Sequence, residues 1–180
     1  MTTNETEIAP GIETLFLEAD GVFPNSPLPV VIYRQAIALA EDDPAASIEE
    51  RYHDQGWDGV WRNGIETEHH YHATAHEVLG IALGSVRVQL GGPNGSTIEL
   101  AAGDIAVLPA GTSHKNLEQS SDLIVVGGYP SGQRPDMLYG AAKEQGASVA
   151  AIGSVALPQT DPVLGEHGPL IALWGATGSE

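Results

Sequence analysis

The sequence predicts an all-β fold, a jelly-roll or related β-barrel with one or two short peripheral helices. Three features lead to this prediction. The 180 residues include 22 glycines and 12 prolines, which break the chain into short runs rich in valine, isoleucine and leucine. Some runs alternate apolar and polar residues, as at Val86, Val88 and Leu90, so one face of each strand can enter a core. Turn sequences separate the runs at short intervals.

The N-terminal region predicts two strands and a helix. Residues 14–21 and 28–39 have strand character and are separated by the turn-like FPNSP. A helix is expected to follow, with Asp43 as N-cap, Pro44 in the first turn and Gly56 after its end. Its residues Ala45, Ile48 and Tyr52 share one face, which should pack on the outside of the barrel.

The remaining chain predicts strands joined by tight turns. EVLGIAL and VRVQL should form a hairpin at Gly84–Ser85; GGPNG should close a second hairpin, AAGD a third, and SDLIVVGGYP adds a strand. Beyond it we expect a short helix near 140–150, a long loop and a closing strand at 170–174. We therefore expect one domain over 1–180, with N-terminal strands and helix (1–60), barrel core (61–130) and C-terminal loops with the closing strand (131–180).

The charge balance limits the partners of the chain. It has 24 acidic and 7 basic residues, a formal net charge of −17, and phosphate backbones and anionic membranes need a basic surface. We therefore expect no nucleic-acid partner and no membrane partner. The acidity fits either a salt-adapted protein or one whose acidic surface aids solubility. The acidic start has no secretory-signal pattern, so a cytoplasmic location is expected.

Histidines cluster in HHYHATAHEVLGIALG (residues 69–84). Residues two apart on a strand share a face, so His70 and His72 point the same way. Glu77 begins an apolar stripe, where an ionised carboxylate needs a partner. His114 follows a Pro-x-Gly turn, and Asn116 shares its face, where it could contact the site, a substrate or only the fold. The chain has no cysteine, so three imidazoles and one carboxylate would suit a divalent first-row metal such as Mn, Fe, Co, Ni or Zn.

Two motifs give this pattern a family resemblance. The first is G-x5-H-x-H-x4-E-x6-G over 64–84, and the second is G-x5-P-x-G-x2-H over 103–114. They resemble the two motifs of the cupin superfamily, although Glu118 stands where an asparagine is common. The segments GGYPSGQRPD and DPVLGEHGPL resemble a bacterial branch of cupin-like proteins.

The resemblance implies a cupin-type jelly-roll β-barrel with one divalent metal held by His70, His72, Glu77 and His114. It implies a range of reactions on a small, oxygen-rich, anionic or enolisable molecule. An oxygenase-type enzyme is favoured; the alternatives are an isomerase or decarboxylase, a non-catalytic binding or sensing cupin, and a purely structural barrel. Cupins often pair through exposed sheet edges, so a homodimer is expected.

Other conspicuous side chains have simpler interpretations. His69 and His76 should face away from the ligands and lie on the surface, and His53 should be solvated on the helix. His167 lies in a loop that could close over the cavity, though a surface role is favoured. Tyr71, Trp57 and Trp61 are interpreted as packing residues, and Lys115 as a surface residue.

Overall fold

Two antiparallel sheets dominate the computed structural model, which describes residues 6–9 and 11–177. The larger sheet has the strand order β1-β2-β3-β8-β5-β10-β4, and the smaller sheet has the order β7-β6-β9. The strands are β1 (Thr6–Ala9), β2 (Ile12–Leu15), β3 (Val30–Tyr33), β4 (Trp57–Asn63), β5 (Glu77–Leu83), β6 (Ser85–Leu90), β7 (Ser96–Ala101), β8 (Ile105–Leu108), β9 (His114–Gln119) and β10 (Ile124–Pro130). This arrangement confirms the predicted all-β, cupin-type fold.

The main core lies between the two sheets. Leu79 and Ile81 of β5 and Val125 of β10 contribute to it from the larger sheet, and Val88 and Leu90 of β6 from the smaller one. Glu77 begins the same inward-facing row of β5, while Val78 and Ala82 belong to a separate cluster on the opposite face. The predicted alternation along β5 is therefore confirmed, and it places Glu77 at the end of an apolar stripe.

Helices cover the outer face of the larger sheet. Helix α1 (Pro44–Asp54) has Asp43 as its N-cap, whose side chain accepts a hydrogen bond from the Ala46 N–H, and it buries Ala45, Ile48 and Tyr52 as predicted. Helix α3 (Pro169–Thr177) adds Leu170 and Trp174 to the same outer cluster. The central strands β5 and β8 are thus buried on both faces.

Two predicted hairpins are wrong, because the chain crosses between sheets at these turns. Strand β5 pairs with β8 and β10, whereas β6 pairs with β7 and β9. Gly84, with a φ of +73°, turns the chain from one sheet to the other; this backbone region favours glycine. The AAGD turn likewise connects β7 of the smaller sheet to β8 of the larger. The hairpin at GGPNG is confirmed by the pairing of Leu90 with Ser96.

The predicted closing strand at 170–174 is also wrong, because these residues belong to α3. A short apolar run suits either a strand or a buried helix, and here Leu170 and Trp174, four residues apart, are the buried pair. That spacing places both on one face of a helix. The chain therefore has three α-helices among its described residues rather than one or two. Helix α2 (Gln145–Ser154) follows a 3₁₀ turn at Ala142–Glu144, close to the helix expected at 140–150.

The predicted N-terminal strands are shorter than expected. The first strand ends at Leu15, and Asp20 then accepts hydrogen bonds from the N–H groups of Val22 and Phe23 in a turn. The second ends at Tyr33, because Gln35 adopts a φ of +48° and donates its N–H to Asp104. No described helix has the length and apolar character needed to cross a bilayer. The single domain over 1–180 stays a prediction.

Candidate metal centre

The two sequence motifs meet at a pair of backbone hydrogen bonds. The N–H of His70 donates to the carbonyl oxygen of His114 at 3.2 Å, and the N–H of His114 donates to that of His70 at 2.9 Å. This bridge brings His70, His72 and His114 together, with one ring nitrogen from each within 4.8 Å of the others. All three side chains are buried. The structure thus unites three of the four predicted ligands in a group that could hold a metal ion.

The backbone orients each imidazole. The Nδ1 atom of His70 lies 2.9 Å from the carbonyl oxygen of Glu68, and that of His114 lies 3.0 Å from the carbonyl oxygen of Thr112. The Nδ1 atom of His72 makes a close hydrogen bond to the carbonyl oxygen of Asp136. A carbonyl can only accept, so each neutral ring carries its proton on Nδ1 and its lone pair on Nε2. Metal-binding histidines are commonly fixed in this way.

Glu77 lies against two of the histidines. Its Oε2 atom is 3.2 Å from the Nε2 atoms of both His72 and His114. Although buried, Oε2 has no well-aligned hydrogen bond. Burial acts to raise the pKa of Glu77, but His72 and His114 lower it well below its usual range. The carboxylate is therefore ionised, and its Oε2 atom lies against the Nε2 atoms of His72 and His114.

The protonation of the histidines follows from their surroundings. Burial, helped by the proximity of His114, lowers the pKa of His70 to about 4. For His72, burial acts to lower the pKa, but the Glu77 carboxylate outweighs it and the pKa is raised. The Glu77 carboxylate thus favours a positive charge beside it, which a proton on His72 or a bound cation can supply. This set of nitrogen and oxygen donors fits a divalent transition metal.

A cavity of about 180 Å³ lies over the four side chains. Its neutral walls include Trp61, Ile65, Leu79, Tyr129 and Met137. It shares residues 63–66 with a wider groove of about 530 Å³. A small molecule could therefore approach the candidate metal centre from this groove.

A chain of two hydrogen bonds supports the carboxylate of Glu77. Trp61 Nε1 donates to the hydroxyl of Tyr129 at 2.9 Å, and this hydroxyl donates to Glu77 Oε1 at 3.4 Å. The indole of Trp61 lies directly on Gly127, where an added Cβ would meet the ring at 2.1 Å. Trp61 was interpreted from the sequence as a packing residue, and Tyr129 was not identified. The GGYP segment that contains Gly127 and Tyr129 is predicted from the sequence as part of a strand and as part of a family resemblance, but not as part of the site.

The segment after β10 completes the site. Tyr71 and Leu138 exchange backbone hydrogen bonds of 2.9 and 3.0 Å, which lays this segment beside the first motif. Asp136 uses its carbonyl to orient His72 and its side chain to accept from the Ala73 N–H. Met137 lines the cavity. These contacts join residues more than 60 positions apart, and no periodic pattern in the segment indicated them.

Asn116 does not belong to the cavity lining. Its Nδ2 donates to the carbonyl oxygen of Ile65 at 3.3 Å and to the side chain of Gln119, and its backbone N–H donates to the carbonyl oxygen of Glu66 at 2.8 Å. Asn116 thus holds Ile65 and Glu66 of the cavity wall in place. This contact with the fold is one of the three roles predicted for Asn116.

The other histidines lie outside the group. His76 was predicted to be exposed, but it is only 2% exposed, because α3 places Trp174 at 4.7 Å from its ring and its Nδ1 accepts the Ala110 N–H. His69 lies outside the histidine group as predicted, but it is half-buried beside Phe23 and thus less exposed than expected. His53 and His167 are exposed.

The two facing sheets, with two motifs that converge on one group of histidines, give the chain the fold and the histidine group of a cupin. The chain belongs to the same family as the uncharacterized protein YjlB of Bacillus subtilis. The two are 38% identical over 163 residues, which cover 90% of this chain and 96% of YjlB. No protein-family model matches the chain.

Solved structures show weaker likeness. Acireductone dioxygenase from Bacillus anthracis, with a cadmium ion in its active centre, is 18% identical to this chain, with a TM-score of 0.36. The match covers 51% of this chain and 63% of the enzyme, which is less than two thirds of the enzyme's length. A DUF861 family protein from Thermotoga maritima is 18% identical over 51% of this chain and 96% of its own, with a TM-score of 0.30. An oxalate decarboxylase from Bacillus subtilis is 14% identical to this chain, with a TM-score of 0.33. The match covers 77% of this chain and 30% of the decarboxylase. Likeness at this level leaves the metal and reaction of this chain open.

Proposed function

We propose that the protein is a metal-dependent enzyme that acts on a small, oxygen-containing molecule. His70, His72, Glu77 and His114 would hold one divalent transition metal, whose identity (Mn, Fe, Co, Ni or Zn) is open. The observation that carries the proposal is the group of three buried histidine nitrogens beneath a cavity of about 180 Å³, with Glu77 Oε2 3.2 Å from the Nε2 atoms of His72 and His114. A bound metal would supply Lewis acidity toward an oxygen of the substrate.

The residues of the chain prepare the site for that role. Backbone carbonyls keep the three rings in the tautomer that exposes Nε2. Tyr129 donates to the distal oxygen of Glu77, which leaves Oε2 directed at the histidines. Ile65 and Leu79 form apolar walls that limit the access of water, and a dry site strengthens every electrostatic interaction in it. Such walls also suit oxygenase-type chemistry, which we favour over isomerase or decarboxylase chemistry.

Metal retention by histidine variants tests this proposal. His72→Ala and His114→Ala should each reduce the metal content of purified protein from about one ion per chain to near zero, since each removes a proposed ligand. His53→Ala is the matched control, because His53 is exposed on α1. Circular dichroism should show that all variants are folded. Full metal content in both ligand variants would refute the site.

A non-catalytic binding or sensing cupin is the second candidate. It is favoured by the lack of a buried acid or base free of the proposed ligands in the described cavity lining: besides those four, its titratable groups are Tyr129, which is bound to Glu77, and Glu66, which is exposed. Burial and the nearby Glu77 carboxylate raise the pKa of Tyr129, so its hydroxyl stays protonated. Metal-loaded protein that binds compounds from a metabolite panel, but converts none and consumes no oxygen, would favour this candidate.

We also propose that the protein forms a homodimer and works in the cytoplasm. Strand β1 lies at one edge of the larger sheet, and exposed edges are often covered by a second chain. Light scattering coupled to size exclusion should give twice the chain mass of 18.8 kDa; the single chain mass would contradict the dimer.

A further inference from the structure

We infer that the cavity selects an uncharged or singly ionised ligand with a compact apolar body, and that it rejects dicarboxylates and phosphorylated compounds. The inference rests on the proposed metal centre and narrows its substrate class. The sequence is compatible with either an anionic or an enolisable ligand. The residues that line the cavity favour the enolisable ligand.

The charges around the cavity oppose a dianion. The described lining includes the carboxylates of Glu66 and Glu77 but no lysine or arginine. The basic side chain of the adjoining groove, Arg62, is already paired with Asp43 at 3.0 Å and Glu49 at 2.6 Å. No cation of the described lining is therefore free to neutralise a second negative charge.

The proposed centre can balance one negative charge. A divalent ion with three neutral imidazoles and the Glu77 carboxylate carries one net positive charge, so a singly ionised ligand makes the centre neutral. A dianion would leave an excess negative charge in a partly buried site whose other carboxylate is Glu66. An uncompensated charge in such a place is costly.

The side-chain donors of Trp61 and Tyr129 in the lining are also committed. Trp61 donates to Tyr129, and Tyr129 donates to Glu77. Anion sites present several donors to the ligand, whereas these polar groups bind one another.

The size and walls of the cavity suit a compact apolar body. A volume of about 180 Å³ slightly exceeds the roughly 150 Å³ of an engineered apolar cavity that holds benzene. Leu79, Ile65 and Met137 offer apolar contacts to such a ligand.

Acetylacetone and malonate form a matched pair of probes. Both offer two oxygens with the same chelate spacing, but methyl groups of acetylacetone replace the outer carboxylate oxygens of malonate. Acetylacetone is uncharged or singly ionised, and malonate is a dianion at neutral pH. Binding of each is measured by calorimetry on protein loaded with Mn(II), after elemental analysis of the metal content.

A cation introduced at Met137 provides the decisive comparison. Met137 lines the cavity and is 45% exposed, so Met137→Lys should fold, and Met137→Leu is the neutral control. We expect Met137→Lys to bind malonate about tenfold more tightly than Met137→Leu does, with little change for acetylacetone. The wild type should bind acetylacetone tightly and malonate only weakly.

The outcomes separate the inference from the proposed function. Wild-type protein that takes up none of Mn(II), Fe(II), Co(II), Ni(II) and Zn(II) would overturn the metal centre, and the inference with it. Metal-loaded wild type that binds malonate as tightly as acetylacetone would overturn the inference alone. A malonate affinity of Met137→Lys equal to that of Met137→Leu would also overturn the inference alone. The lack of a cation in the cavity lining would then not be what limits malonate binding.

Discussion

The close contact between Gly127 and Trp61 makes Gly127→Ala an informative substitution. A Cβ at Gly127 would lie 2.1 Å from two carbons of the indole and 2.6 Å from its Nε1 atom. Ordinary van der Waals contact begins near 3.4 Å, so the ring must retreat by about 1 Å. The hydrogen bond from Trp61 to Tyr129, now 2.9 Å, would then be stretched beyond its normal range.

The expected loss appears in metal affinity as well as stability. Tyr129 without its tryptophan partner no longer holds Glu77 in place, and loss of such support commonly costs 10- to 100-fold in metal affinity. The steric clash and the broken hydrogen bond should together destabilise the fold by about 1–3 kcal/mol. Chelator competition measures the affinity, and thermal unfolding of metal-free protein measures the stability.

Gly128→Ala is the neighbouring control in β10. A Cβ at Gly128 would lie 3.3 Å from Tyr52, a helix residue on the outer face of the sheet. This variant should keep its metal affinity even if its stability falls slightly. Equal metal affinities for the two alanine variants would refute the supporting role of Trp61 and Tyr129.

Three further predictions concern stability. Asp161→Ala should cost about 3 kcal/mol or more in urea unfolding, since it leaves the buried hydroxyl of Tyr33 and the N–H groups of Val163, Leu164 and Leu170 without their acceptor; unchanged stability would contradict this anchoring of the C-terminal segment. Burial lowers the pKa of His76 from 6.5 to about 4, so the unfolded chain binds more protons than the folded chain between these pH values. The free energy of unfolding should therefore fall by about 2 kcal/mol from pH 7 to pH 5. His76→Gln should lose this part of the pH dependence of stability, and an equal pH dependence in the wild type and the variant would contradict the prediction. If the net charge of −17 reflects salt adaptation, the melting temperature should rise between low and multimolar salt; a flat or falling curve would favour the solubility interpretation.

The fold class and the grouping of three histidines could be predicted from the sequence because both depend on local patterns. Alternation along β5 placed Glu77 in the apolar row that faces the core, and the two motifs identified the histidines that meet in space. The N-cap at Asp43 was equally local, since its side chain reaches an N–H three residues away.

Strand partners could not be predicted from the same patterns. An alternating run shows that one face is buried, but it does not show which sheet the strand joins. The sequence therefore predicts a hairpin turn at Gly84, although Gly84 connects a strand of one sheet to a strand of the other. The apolar run at 170–174 gave no periodic signal long enough to separate a strand from a helix, and this error also hid the burial of His76 beneath Trp174.

The parts of the site that the sequence missed depend on distant contacts. Tyr129 reaches Glu77 across 52 positions, and Asp136 reaches His72 across 64. Both residues lie in or after β10, where no spacing rule links them to the first motif. Their roles emerged only from the pairing of β10 with β5 and of Leu138 with Tyr71.

The central claim is that one cation is shared by three imidazoles and a carboxylate. Anomalous diffraction from a crystal of the protein, purified without chelators or added metal, tests it most directly. We predict a single strong peak within coordinating distance, about 2.0–2.2 Å, of the Nε2 atoms of His70, His72 and His114 and of Glu77 Oε2. Rings turned apart around a site without an anomalous peak, or a metal bound elsewhere in the chain, would contradict it.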